Sequence, residues 1–235
     1  MSEILRCEAL TKNYGRRSDP GALRGIDLTI EGGSIVGLVG PNGSGKTTLI
    51  KLIAGLLTPT AGTVTVCGQT PGVGTKRLVS YLPDTPYLNT WMSVGQLVRL
   101  FADFYDDFRT ETADSLLHDL GIDPRQRLRT LSKGTREKVC LILTMSRRAK
   151  LYLLDEPIAG VDPAARDYII RTIIDSYDPE AAVLIATHLI ADIEPVLEDV
   201  IFLRDGQIVL HRDVESIRAE HGTGADGLFR EVFKW

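Results

Sequence analysis

Three short groups of residues have the types and spacing that phosphate chemistry demands. Gly40-Pro41-Asn42-Gly43-Ser44-Gly45-Lys46-Thr47 fits the pattern G-x-x-x-x-G-K-[ST], with Thr48 following directly. To wrap a triphosphate in backbone N–H groups, a chain needs glycines where a Cβ would block close approach. A helix opening at the end of such a loop turns its positive end toward the phosphates. Lys46 supplies a mobile cation for the β and γ oxygens, and the Thr47 hydroxyl is a hard oxygen ligand suited to Mg²⁺. Asp155-Glu156, 109 residues after Lys46 counted to Asp155, closes an apolar run. Asp155 is placed to hold Mg²⁺ or its waters. Its neighbour Glu156 is placed to orient or deprotonate an attacking water, the task of a general base. His188 follows Glu156 by 32 residues and completes the set.

The elements around these groups are those that would position them. Ile35–Val39 is a continuous apolar strand, the glycine-rich loop follows, and Thr47–Leu57 places Leu49, Ile53, Leu56 and Leu57 on one helical stripe. Ile26–Ile30 alternates and Gly62–Val66 runs Gly-Thr-Val-Thr-Val, with β-branched residues suited to the pleated surface of a strand. From about Met92 to Arg148 the period becomes helical. Val94, Leu97, Val98 and Phe101 share one face, and Ala113, Leu116, Leu117 and Leu120 share another that ends at Gly121. Leu151–Leu154 and Val183–Thr187 are apolar throughout, as strands covered on both faces are. Asp162-Pro163 opens a helix carrying Ile169, Ile170, Ile173 and Ile174. Asp205-Gly206 marks a hairpin between Ile201–Leu203 and Gln207–Leu210. The pattern is an α/β core with a helical insertion and some antiparallel strands.

At 235 residues, with 43% hydrophobic and 25% charged, the chain has an ordinary globular balance and needs no covalent staples. A net charge of −4 argues against a nucleic-acid binder. The basic run Arg147-Arg148-Ala149-Lys150 reads as a solvated loop. Three widely spaced cysteines read as free thiols in a reducing compartment. No stretch is long and apolar enough to span a membrane, and the first residues lack the order of a secretory signal, so a cytoplasmic location is expected. His118, His211 and His221 read as structural.

Leu131-Ser132-Lys133-Gly134-Thr135, some twenty residues before the acid strand, has Ser132 at a helix N-cap and Gly134 allowing close approach to an anion. It resembles the signature of ABC ATPases, whose usual form is Leu-Ser-Gly-Gly-Gln. Tyr14 lies 26 residues before Gly40, where that family places an aromatic that stacks on adenine. Ala159-Gly160-Val161-Asp162 is similar to its D-loop, and His188 to its switch histidine. Six elements thus occur in the family's order, over nearly the whole chain. The resemblance implies a P-loop NTPase (RecA-like) core with an antiparallel β subdomain and an α-helical subdomain. Their bounds are expected at about 1–87 and 149–235 for the core and 88–148 for the helical part. It implies ATP and Mg²⁺ as ligands, hydrolysis by Glu156, His188 and Lys46, and closure of a homodimer or heterodimer that sets Ser132, Gly134 and Asp162 of one subunit against ATP held by the other. It also implies a transmembrane permease on a separate chain, with this subunit peripheral on the cytoplasmic face.

Two positions depart from the family pattern. Asp84 stands where the family has a glutamine that links the Mg²⁺ shell to the helical part. Either it ligates the metal side more directly, or that contact is lost. Lys133 opposes the dipole of the helix it opens, which suits a phosphate neighbour or a solvated side chain. The Leu-Ser-Lys-Gly form and short helical region resemble the exporter branch (antibiotic, peptide and lipid efflux) with separate membrane subunits. The alternative is a soluble ABC-type ATPase acting on nucleic acid or an assembly pathway. Tyr81, Tyr87, Trp91 and Trp235 are either a contact surface for the membrane partner or packing groups.

Overall fold

The computed structural model describes residues 2–15, 21–85, 87–158 and 163–233. In chain order its strands are β1 (Glu3–Lys12), β2 (Leu23–Glu31), β3 (Ile35–Val39), β4 (Ala61–Val66), β5 (Val79–Leu82), β6 (Leu151–Asp155), β7 (Ala182–Thr187), β8 (Asp199–Arg204) and β9 (Gln207–Asp213). The helices are α1 (Lys46–Ile53), α2 (Val94–Phe104), α3 (Thr110–Asp119), α4 (Lys133–Met145), α5 (Pro163–Ser176), α6 (Ile190–Ile193), α7 (Val214–His221) and α8 (Ala225–Val232).

A six-stranded sheet runs in the order β5-β6-β7-β3-β8-β9. It is parallel except for β9, which returns along β8 through Asp205 and Gly206. Both turn residues have positive φ (49° and 75°), as a two-residue hairpin of the right twist requires. Every residue of β3, β6 and β7 is buried, which explains their unbroken apolar sequences. Successive residues feed opposite faces. Val39, Leu154, Ile185 and Phe202 pack with α4, α5, α7 and α8. Leu38, Leu153, Leu184 and Ile201 pack with α1 and the smaller antiparallel sheet, of order β2-β1-β4. Near the carboxyl end of β8, Phe202 meets Phe229 and Phe233 edge-on at 5.5 and 5.9 Å.

Helices α2, α3 and α4 share a third apolar cluster of their own, built on Val94, Leu97, Val98, Ala113, Leu117, Val139 and Leu143. Ser93 opens α2 with a full capping box, its side chain reciprocating with Gln96. This layer is joined to the sheet by Arg147, contrary to the expectation of a solvated basic loop. The Arg147 guanidinium is almost fully buried. It pairs with both carboxylate oxygens of Asp107 at 3.0 and 3.1 Å and donates to the carbonyls of Arg77 and Val79 at 2.8 and 2.7 Å. It also lies 3.8 Å from the centroid of the Tyr105 ring. A planar fork of five donors suits such a cluster of acceptors, so this side chain is structural where its neighbour Arg148 is exposed.

A second correction concerns α1. It ends at Ile53, short of the expected Leu57, where the Ala54 N–H closes onto Ile50 and the chain turns at Gly55. Leu56 is consequently on the surface instead of the buried stripe. Among the described residues no helix is long and apolar enough to cross a membrane.

Candidate functional site

The phosphate loop, Asp84, Asp155, Glu156 and His188 converge at one edge of the six-stranded sheet, because each comes off the carboxyl end of a parallel strand. The loop 40–45 leaves β3, Asp155 ends β6, Thr187 ends β7, and Asp84 lies two residues past β5. This edge is where open α/β sheets bind ligands.

In the loop, Gly45 has φ +111°, and a Cβ there would stand 2.6 Å from the Ala22 carbonyl oxygen. Only glycine takes that conformation without strain. The loop is braced from outside its own motif: the Gly206 N–H, at the β8–β9 turn, donates to the Ser44 carbonyl at 2.9 Å. Lys46 is 7% exposed and folds back over the loop, its Nζ donating to the carbonyls of Gly40 at 2.7 Å and Pro41 at 3.3 Å. Burial lowers its pKa, and the nearby charges of Glu156 and Asp155 oppose that shift.

Across the loop, the Thr47 hydroxyl donates to Asp155 Oδ1 at 3.3 Å. Asp155 is only 1% exposed. Burial pushes its carboxyl up to about 6, reinforced by the charges of Asp84 and Glu156 and opposed by the Thr47 hydrogen bond and Lys46. Glu156 adopts φ +53°, a left-handed conformation that costs a non-glycine residue and is kept only where surroundings enforce it. Its carboxylate accepts from Thr187 Oγ1 at 3.1 Å and lies 2.9 Å from His188 Nδ1. An ionised carboxylate only accepts, so Nδ1 carries the proton of this pair.

Asn42, Gly43, Gly45, Lys46, Thr47, Thr48, Asp84 and Glu156 line one open pocket of about 250 Å³. Asp84 is exposed at its rim and accepts from Thr85 Oγ1 at 3.3 Å. Tyr14 is 62% exposed, with its hydroxyl 3.4 Å from Thr48 Oγ1 and Lys12 Nζ 5.4 Å from its ring centroid. Ser132 caps α4 as its type suggested, Oγ accepting from the Thr135 N–H at 3.1 Å. Ser132 and Gly134 do not line the pocket of their own chain. Lys133 is exposed, 3.9 Å from Glu137, and with it lines a second pocket that also holds Asp84, Asp155 and Glu156. Asp162 lies outside the described residues. Two contributors escape a motif reading: Thr187, whose only signal is a hydroxyl beside His188, and Gly206, whose Asp-Gly pair announces a turn and nothing more.

The residues fit magnesium and a polyphosphate. Two buried oxygens, Asp155 Oδ2 and Ser44 Oγ, have no hydrogen-bond partner among the described residues. Such groups are costly unless a ligand, ion or water satisfies them. A hydroxyl and a carboxylate side by side are the oxygen donors Mg²⁺ takes from proteins, leaving its other positions to phosphates and waters.

Fold and site together define a phosphate-loop nucleoside triphosphatase. Residues 23–159 match the family model described as ABC transporter. The chain is 32% identical over 211 residues to the ABC transporter ATP-binding protein YdbJ of Bacillus subtilis (strain 168), covering 87% of this chain and 68% of that protein. It is 28% identical over 213 residues to the SkfA peptide export ATP-binding protein SkfE of the same organism, covering 88% of each. Among solved structures, an ATP-binding subunit of an ABC transporter superposes with a TM-score of 0.88 at 26% identity, covering 98% of this chain and all of that one. The chain belongs to the ABC transporter family, as its ATP-binding subunit, and hydrolyses ATP with Mg²⁺.

Proposed function

We propose that this subunit drives export through a membrane-spanning partner on a separate chain, by ATP-dependent closure of two nucleotide-binding subunits at the cytoplasmic face. The observation that carries the reading is the mismatch between a capped anion-seeking helix start at Ser132 and its absence from the pocket of its own chain. A helix opens with N–H groups that lack internal partners; Ser132 Oγ caps that of Thr135, and a phosphate held by a second subunit would satisfy those before it. The relative named for peptide export favours the outward direction.

In this reading Tyr14 stacks on the base, the loop amides and Lys46 hold the phosphates, and Thr47 with Asp155 holds Mg²⁺. The metal, when bound, neutralises charge on the β and γ oxygens. Glu156 accepts a proton from the attacking water, and His188, held by that carboxylate, addresses the γ-phosphate side. Ser132 and Gly134 of the opposite subunit close the site, with Asp162 at the junction. Loss of the γ-phosphate removes the shared ligand and with it the mass-action drive for closure. Asp84 senses the metal side from the pocket rim.

The membrane partner docks beside Asp84. A groove of about 430 Å³ there is lined by Tyr81, Tyr87, Phe101, Tyr105 and Arg147, continuing from Asp84 itself. Tyr87 and Trp91 are more than half exposed, and Trp235 lies outside the described residues. Neither the buried Arg147 nor the net charge favours a nucleic-acid role. Glu156→Gln is expected to retain ATP, lose on the order of 100-fold or more in turnover, and sediment as a dimer with MgATP. A monomer under those conditions would refute the clamp.

A further inference from the structure

Glu156 and His188 sit on two separate segments, and their 2.9 Å contact is only as good as the relative placement of those segments. After Glu156 the chain runs into α5; after His188 it runs into α6. Helix α6 is a single turn, Ile190–Ile193, too short to be stable by itself. Its place is set by tertiary contacts: Ile190 and Ile193 are buried in the core, and Asp192 reaches across to α5. There the Arg166 guanidinium donates to Asp192 Oδ2 at 2.7 Å, both side chains being about a quarter to a third exposed.

These contacts form one connected path. It runs from Arg166 on α5 across the ion pair to Asp192, back four residues to His188, and through Nδ1 to Glu156. The Thr187 hydroxyl, which accepts from the Leu189 N–H at 3.0 Å and bonds Glu156, lies on the same path. At the end of this path the left-handed backbone at Glu156 must be held against its intrinsic preference. An ion pair that is partly exposed adds little to global stability. Its value here is geometric, since it fixes the rotation of the α6 turn about the core and so the direction of the imidazole.

We infer that Arg166 and Asp192 are positioning residues for hydrolysis, acting through His188 on Glu156. The inference rests on the proposed roles of Glu156 and His188, so those are tested first, by Glu156→Gln and His188→Ala in the full-length chain with MgATP. If both retain wild-type turnover, that reading fails, whatever Arg166 does. With them impaired, Arg166→Ala and Asp192→Ala are each expected to lower kcat about tenfold, leaving KM for ATP within about twofold and the melting temperature nearly unchanged. Adding Asp192→Ala to His188→Ala is expected to cost nothing more. The exchange Arg166→Asp with Asp192→Arg is expected to recover most of the lost rate. A readout independent of turnover is the ring ¹⁵N spectrum of His188 in nucleotide-free protein. The Nδ1-protonated form fixed by Glu156 should give way, in Asp192→Ala, to the averaged signal of a free imidazole. Unchanged kcat and an unchanged His188 spectrum in both single variants would overturn the inference, as would full additivity with His188→Ala.

Discussion

Burial, with the neighbouring charges of Asp84 and Glu156, pushes the Asp155 carboxyl up to about 6 from an ordinary 3.8, and the direction of that shift has a measurable consequence. A group whose folded pKa is raised favours the folded state while protonated and loses that contribution as pH rises through the folded value. The nucleotide-free chain should therefore lose about 3 kcal/mol between roughly pH 4 and pH 7 from this one site. Asp155→Asn should abolish that slope, melting higher than wild type at pH 8 while losing Mg²⁺-dependent hydrolysis. Thermal denaturation at pH 5 and pH 8, with and without MgATP, checks both halves. At the pocket rim, Asp84→Asn is expected to weaken turnover across a Mg²⁺ titration more than it weakens ATP binding. An identical titration curve would remove Asp84 from the metal side.

Among the elements, the strands that end in chemistry were the most legible. β3, β6 and β7 are buried on both faces, so their apolar runs could be read directly, and the groups at their ends came with them. β1 gave no such signal. Bulges between Glu3 and Leu5 and between Cys7 and Leu10 break its alternation, and Ala9 has φ +47°. The carboxyl-terminal helix α8 was equally silent, because the contact that seats it is the three-ring cluster on Phe202, scattered in sequence. The hairpin was legible as a turn but not as a brace. Gly206→Ala puts a Cβ 2.7 Å from the Ala22 carbonyl oxygen at φ +75°, and should cost about 1–3 kcal/mol. Because Gly206 bonds Ser44, the loss should appear first as faster amide exchange in the phosphate loop, ahead of the sheet.

For the whole molecule, the unexpected residue is Arg147. The sequence shows a run of basic residues, and nothing local says that one of them turns inward to meet Asp107, forty positions away. Removing one partner of a buried ion pair leaves the other charge and its carbonyl acceptors unsatisfied. Arg147→Met should cost about 3–5 kcal/mol, read as a lower urea midpoint. The damage should concentrate where the helical layer meets β5, so limited proteolysis should cut near residues 76–79 before it cuts the sheet.

The hydrogen bond from Gly206 to Ser44 also orders events in time. A ribosome releases the glycine-rich segment early, yet the strand hairpin that props it arrives some 160 residues later. A nascent chain halted before residue 199 thus displays every phosphate-binding side chain and is expected to bind nucleotide more weakly than the finished chain. Competence for ATP is then expected late in synthesis, once the Asp205-Gly206 turn emerges and settles beneath the loop.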